Sequence, residues 1–194
     1  MPQTTFYFDL GSPFAYLAAE RLPQLLAEPV LWQPVSLGAL FKLNGRSSWA
    51  LAEPASRQAG MAEVERRALA YSLEPLRWPD PWPTNYLYAM RAATYAFQVG
   101  RGHQFTLEAF REAFARGNDL AIAEHVLRAA ERAGLDRRAV EESTQDPQIK
   151  MALRANTDVA HARGVFGVPT VAVDDALFWG DDRLQDAAAA LAAG

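Results

Sequence analysis

Two hydrophobic periods alternate along this chain. Residues 4–9 (TTFYFD) are β-branched and aromatic and stop at Leu10-Gly11, the pattern of a short buried strand. Pro13 then opens a helical pattern, with Ser12 in the N-cap place and apolar residues at Phe14, Leu17, Ala18, Leu22 and Leu25. Pro23 inside that pattern predicts a kink or an early end. Residues 30–35 (VLWQPV) predict a second strand, in which Pro34 favours an edge or an end. A β-α-β opening predicts a parallel pair with a right-handed crossover.

Residues 36–54 hold no sustained period and read as a loop. From Ala55 to His161 the signals are helical, in segments 59–73, 84–98, 106–115, 120–133, 136–143 and 147–163. Thr106 and Asp136 are expected to cap two of them. The run Trp78-Pro79-Asp80-Pro81-Trp82-Pro83 interrupts the block. Past Gly164 the two-residue period returns. Residues 167–173 read as a strand with Pro169 near its start, Asp174-Asp175 as a turn and 176–179 as a return strand. Residues 182–193 are an alanine-rich helix. The order predicts an α/β fold: residues 1–54 and 164–194 form one unit, and 55–163 are an inserted helical domain.

Composition narrows the chemistry. The 194 residues are 50% hydrophobic, which supports a sizeable core and argues against disorder. A net charge of -4 gives no general nucleic-acid footprint. There is no cysteine, which excludes disulfides, cysteine-ligated zinc, iron–sulfur clusters and any dithiol cycle within the chain. No metal site is expected. The first residues lack a basic leader pattern, Asp9, Glu20 and Arg21 break any apolar run, and no 18-residue apolar span occurs. The expectation is a soluble cytoplasmic protein with no membrane or nucleic-acid partner. His103 is expected in a loop and His125 and His161 in helices, none in a catalytic setting, and no Gly-x-Ser-x-Gly surrounds Ser12.

Four segments, in order, carry a family resemblance. Residues 6–17 (FYFDLGSPFAYL) resemble the first strand and helix start of 2-hydroxychromene-2-carboxylate isomerases and kappa-class glutathione transferases, members of the wider DsbA-like group. Residues 82–85 (WPTN), leading into Ala89-Met90-Arg91-Ala92, resemble the start of that family's long insertion helix. Residues 164–170 (GVFGVPT) resemble the segment with its cis-proline, and 178–184 (FWGDDRL) its C-terminal glutathione-binding turn.

The resemblance implies a thioredoxin-like fold with a large helical insertion, glutathione or another low-molecular-weight thiol as cofactor, an aromatic small-molecule substrate and a tendency to dimers. Ser12 is then the catalytic residue, standing where dithiol members carry their first cysteine, with Ala15 at the fourth position. The expected cofactor-binding residues are Ser12, Phe14, Asn44, Val168, Pro169, Asp181 and Asp182. The cis bond would turn the Val168 backbone toward a peptide-like ligand, and Asp182, with the backbone near Asp181, would hold its amine. Lys42, Trp82, Asn85 and Arg91 are the expected substrate residues. The implied reaction interconverts 2-hydroxychromene-2-carboxylate and its ring-opened benzylidenepyruvate isomer. A transferase or glutathione-dependent oxidoreductase on the same site, and a non-catalytic thiol- or peptide-binding module, are the alternatives.

A hydroxyl at a helix N-terminus suits this chemistry. It lies beside unpaired backbone N–H groups and the positive end of the helix dipole. A free thiol with a pKa near 8.5 is only about 3% ionised at pH 7. Lowering that pKa by about two units takes roughly 2.7 kcal/mol and ionises about 75%. One charge-assisted hydrogen bond with a dipole contribution is of that size.

Overall fold

The computed structural model describes residues 4–26 and 29–193. Residues 1–3, part of the stretch read above as carrying no leader, lie outside the described residues. The elements run β1 (Thr4–Phe8), α1 (Pro13–Leu25), β2 (Val30–Pro34), α2 (Leu37–Leu43), α3 (Pro54–Ala70), α4 (Leu87–Gln98) and α5 (Gly102–Phe114). Then follow α6 (Ala123–Arg132), α7 (Arg137–Ser143), α8 (Pro147–Ala162), β3 (Thr170–Val173), β4 (Ala176–Trp179) and α9 (Leu184–Ala193). Short 3-10 turns lie at Trp49–Leu51 and Asp181–Arg183. The sheet order is β2-β1-β3-β4, with β1 parallel to β2, antiparallel to β3, and β3–β4 a hairpin. This is a thioredoxin-like fold with a helical insertion, as the element order predicts.

Strand β1 is buried on both faces, because helices cover both. Phe6 and Phe8 join a core with Leu17 and Leu22 of α1, Phe110 of α5 and Leu184 of α9. Tyr7, pointing the other way, packs with Leu40 of α2 and Ala160 of α8. Each such large apolar side chain stabilises the fold by about 1.5–3 kcal/mol relative to exposure. The helical insertion shares this core. The Phe8 ring lies 6.1 Å from both Phe97 and Phe110, and Tyr16 lies 5.8 Å from Phe114. Within the insertion, Glu112 is buried at 1% exposure and paired with Arg116, Arg128 and Arg132, which ties α5 to α6.

Three local expectations need correction. Residues 37–43, read as loop, form α2. Ser36 caps it by accepting from the Ala39 N–H, and Leu40 alone of the helix is buried, so its roughly two turns show no period. Helix α5 starts at Gly102, which places Thr106 inside the helix rather than at its cap and His103 in its first turn rather than in a loop. There the His103 ring packs edge-on against Trp32 at 5.1 Å and Phe97 at 5.5 Å. By contrast, Asp136 caps α7 through the Ala139 N–H. Pro23 lies in the last turn of α1, and Pro34 ends β2 at the sheet edge. No described helix is long and apolar enough to cross a membrane.

Candidate active site

Strand β1 ends where α1 begins, and that junction builds the site. Ser12 is the N-cap of α1, 5% exposed, and its Oγ accepts from the Ala15 N–H at 3.2 Å. Its own O–H reaches the Val168 carbonyl only at 3.5 Å, the outer limit of a hydrogen bond. The hydroxyl is therefore oriented by a good acceptor bond and held weakly as a donor. Val168–Pro169 is cis. The N–H groups of Phe14 and Val168 have no partner among the described residues. Ser12, Phe14 and Val168 all line one cavity of about 890 Å³.

Aromatic rings dominate its walls. Phe14 meets Trp49 edge-on at 5.9 Å, Trp49 lies 5.4 Å from Trp82, and Phe166 lies 4.9 Å from Trp179. Trp82 is buried, and its indole N–H has no partner among the described residues. Positive charge comes from Lys42 and Arg46, the Arg46 guanidinium standing 4.5 Å over the Phe166 ring. Asn85 is in the wall, its side-chain oxygen accepting from the Leu87 N–H.

Sequence reasoning missed Asp9. Its carboxylate is 5% exposed and accepts from the Gly11 N–H at 2.8 Å and the Leu37 N–H at 2.7 Å. One side chain thus ties the Ser12 loop to the start of α2. Burial pushes this carboxyl up to about 6 from its ordinary 3.8, against the Leu37 and Gly11 N–H groups that hold it down. The only sequence signal is an acid ending a buried strand. Gly11 completes the loop by close approach: a Cβ there would lie 2.4 Å from the Tyr86 ring. Gly11→Ala is expected to cost about 1–3 kcal/mol by overpacking, read as a lower urea midpoint at an unchanged m-value.

The structure disperses some of the expected site. Asn44 caps α2, its amide donating to the Leu40 carbonyl at 2.8 Å, and it does not line the cavity. Asp181 is 1% exposed and taken by Arg67 at 2.8 Å and the Tyr71 hydroxyl at 2.9 Å. Burial raises its pKa against the pull of Arg67. Its carboxylate fastens α3 to the turn before α9 instead of facing the cavity. Asp182 is 54% exposed and 3.3 Å from Arg67, whose guanidinium stands 5.4 Å over the Phe14 ring. Arg91 lines a neighbouring cavity rather than this one. Ser12, Phe14, Lys42, Trp82, Asn85 and Val168 are brought together.

A helix-start hydroxyl beside the Val168 carbonyl, at the edge of an aromatic cavity, marks the site, and comparison supplies its class. The family model for the DSBA-like thioredoxin domain matches residues 3–192, and the chain belongs to that family. Within it, the similarity narrows to proteins named 2-hydroxychromene-2-carboxylate isomerase. The one from Sphingobium xenophagum is 32% identical over 184 residues, covering 93% of each chain. One from Pseudomonas putida is 25% identical over 185 residues, 92% of this chain and 89% of that one. A solved 2-hydroxychromene-2-carboxylate isomerase superposes with a TM-score of 0.85 at 24% identity, over 98% of this chain and 94% of the other. A probable DsbA oxidoreductase from Streptomyces coelicolor follows the same fold with a TM-score of 0.75 at 21% identity, covering 100% and 91%.

Proposed function

We propose that this protein is a glutathione-dependent isomerase of the 2-hydroxychromene-2-carboxylate type, acting on an unsaturated aromatic acid. The observation that carries the reading is the Ser12 hydroxyl, weakly held as a donor at the start of α1 and opening into an aromatic cavity. The donors there fit a sulfur anion: one hydroxyl, the free Phe14 N–H and the positive end of a 13-residue helix. Glutathione, when bound, would supply a thiolate that adds reversibly to an electron-poor carbon and leaves after bond rotation.

The chain's own groups do the rest. Ser12 gives up its long contact with Val168 and donates to the anion, which selects the ionised form. The free Val168 N–H pairs with a peptide-like ligand as an added strand. Trp49, Trp82 and Phe166 exclude water and offer apolar wall to a planar ring. Lys42 and Arg46 offset negative charge. In this reading Asp182 remains the candidate for the ligand's amine, with Arg67 beside it.

Calorimetric titration with glutathione and other low-molecular-weight thiols tests the reading. Binding of glutathione, lost or weakened in Ser12→Ala, is expected. Total glutathione should stay constant over many turnovers. Its net consumption would make the protein a transferase or reductase, and binding without turnover would make it a binding module.

A further inference from the structure

Helices α2, α4 and α8 enclose a second cavity, of about 590 Å³, beside the aromatic one. Four of its lining side chains are cationic: Lys42 from α2, Arg91 from α4, and Lys150 and Arg154 from α8. One acid, Asp158, stands against them, 3.8 Å from Arg154. Among the described residues, Lys42, Arg91 and Lys150 have no carboxylate within 4.0 Å. Arg91 reaches only the Thr144 carbonyl at 3.5 Å, and Lys150 only the Gln145 side-chain oxygen at 3.5 Å. In a chain of net charge -4, this is a local excess of three positive charges.

Unpaired cations crowded in one concavity repel one another and raise the local concentration of anions. One of the three unpaired cations, Arg91, is an arginine, whose planar fork matches a carboxylate bidentately. The cavity also holds Leu43, Leu87 and Leu153, so the ligand it fits has an apolar body as well as an anionic end. Ser36, Ala39, Lys42 and Leu87 line both cavities, which places the basic one directly against the proposed site of chemistry. We propose that the basic cavity is a second binding site, for the carboxylate of an aromatic acid, and that it captures the substrate beside the aromatic cavity. The proposal rests on the isomerase reading for its ligand class. The anionic binding itself does not depend on turnover.

Lys150 and Arg154 line only the basic cavity, and Arg154 is 85% exposed, so the variants Lys150→Gln and Arg154→Gln leave the fold intact. Cinnamate is a suitable unreactive probe, with cinnamyl alcohol as its neutral counterpart. The double variant is expected to bind cinnamate at least tenfold more weakly, while the alcohol is unaffected. Added salt should weaken cinnamate binding in the native protein. In turnover, KM for the acid should rise at least fivefold with kcat within twofold. Asp158→Asn provides a test of sign: removal of the one acid should tighten cinnamate binding, which a structural defect would not do. Cinnamate affinity unchanged in the double variant would overturn the proposal. Inorganic phosphate competing as well as cinnamate would overturn the assignment to carboxylates. If glutathione does not bind but cinnamate does, with this charge dependence, the isomerase reading fails while the site stands.

Discussion

Ser12→Ala is expected to reduce turnover by up to about 25-fold, the ratio between about 75% and about 3% thiolate at pH 7, less the share that the helix dipole and the Phe14 N–H retain. The Oγ sits 3.2 Å from the Ala15 N–H and 3.5 Å from the Val168 carbonyl, so the hydroxyl is oriented yet free to donate. Its loss should raise the thiol pKa of bound glutathione by up to about two units, visible as thiolate absorbance in a pH titration. The same side chain caps α1, and loss of a cap costs about 0.5–2 kcal/mol, a fall in Tm of a few degrees. Ser12→Gly separates the two roles. Glycine keeps the cap to within a few tenths of a kcal/mol but has no hydroxyl. The two variants should therefore lose activity equally and differ in Tm. Activity that tracks Tm, with an unmoved thiol pKa, would reduce Ser12 to a helix cap.

The native protein is expected to lose stability as the pH rises through 6, and Asp9→Asn should abolish that dependence. The folded carboxyl titrates at about 6 and the ordinary value is 3.8. The native state thus binds this proton more tightly than the unfolded chain. Asp9 contributes its full stabilisation below pH 3.8, and this is lost as the pH rises through 6. About two pKa units correspond to about 3 kcal/mol. Unfolding of the native protein in urea should therefore lose up to about that much stability between pH 4 and 7, relative to the variant. Paired acids such as Glu112 act in the opposite direction in both proteins and cancel in the difference. Function should follow. Ionised Asp9 accepts two N–H groups, whereas the amide nitrogen of asparagine cannot accept one, so the variant leaves either Gly11 or Leu37 unpaired. In the native protein kcat/KM is expected to rise through pH 6, and in the variant it is expected not to. Parallel stability profiles for the two proteins would show that Asp9 does not titrate in this range.

Much of this was legible in sequence because the signals are local. The Ser12-Pro13 and Asp136 helix starts each depend on one residue and the three that follow. The aromatic β1 strand and the proline entering the third strand announce themselves in the same way. What escaped is decided over distance. Asp9 looks like any strand-ending acid until Leu37, 28 residues on, lends its N–H. Asp181 looked like a ligand-binding charge until α3 folded back to place Arg67 and Tyr71 on it. Arg91 is one residue from Met90, which lines the aromatic cavity, yet the helix turn sends it to the neighbouring chamber. Helix α2 was hidden because one buried leucine makes no period.

The aromatic cavity has a floor and a roof of separate origin. Ser12, Phe14 and Val168 belong to the sheet end, whereas Trp82, Asn85 and Tyr86 hang from the helical insertion. Natural drift in the insertion's loop can retune which molecule is admitted and leave the Ser12 end of the cavity untouched. Selection can thus reshape the intake of such a cavity one stretch of chain at a time, without rebuilding the end that holds Ser12.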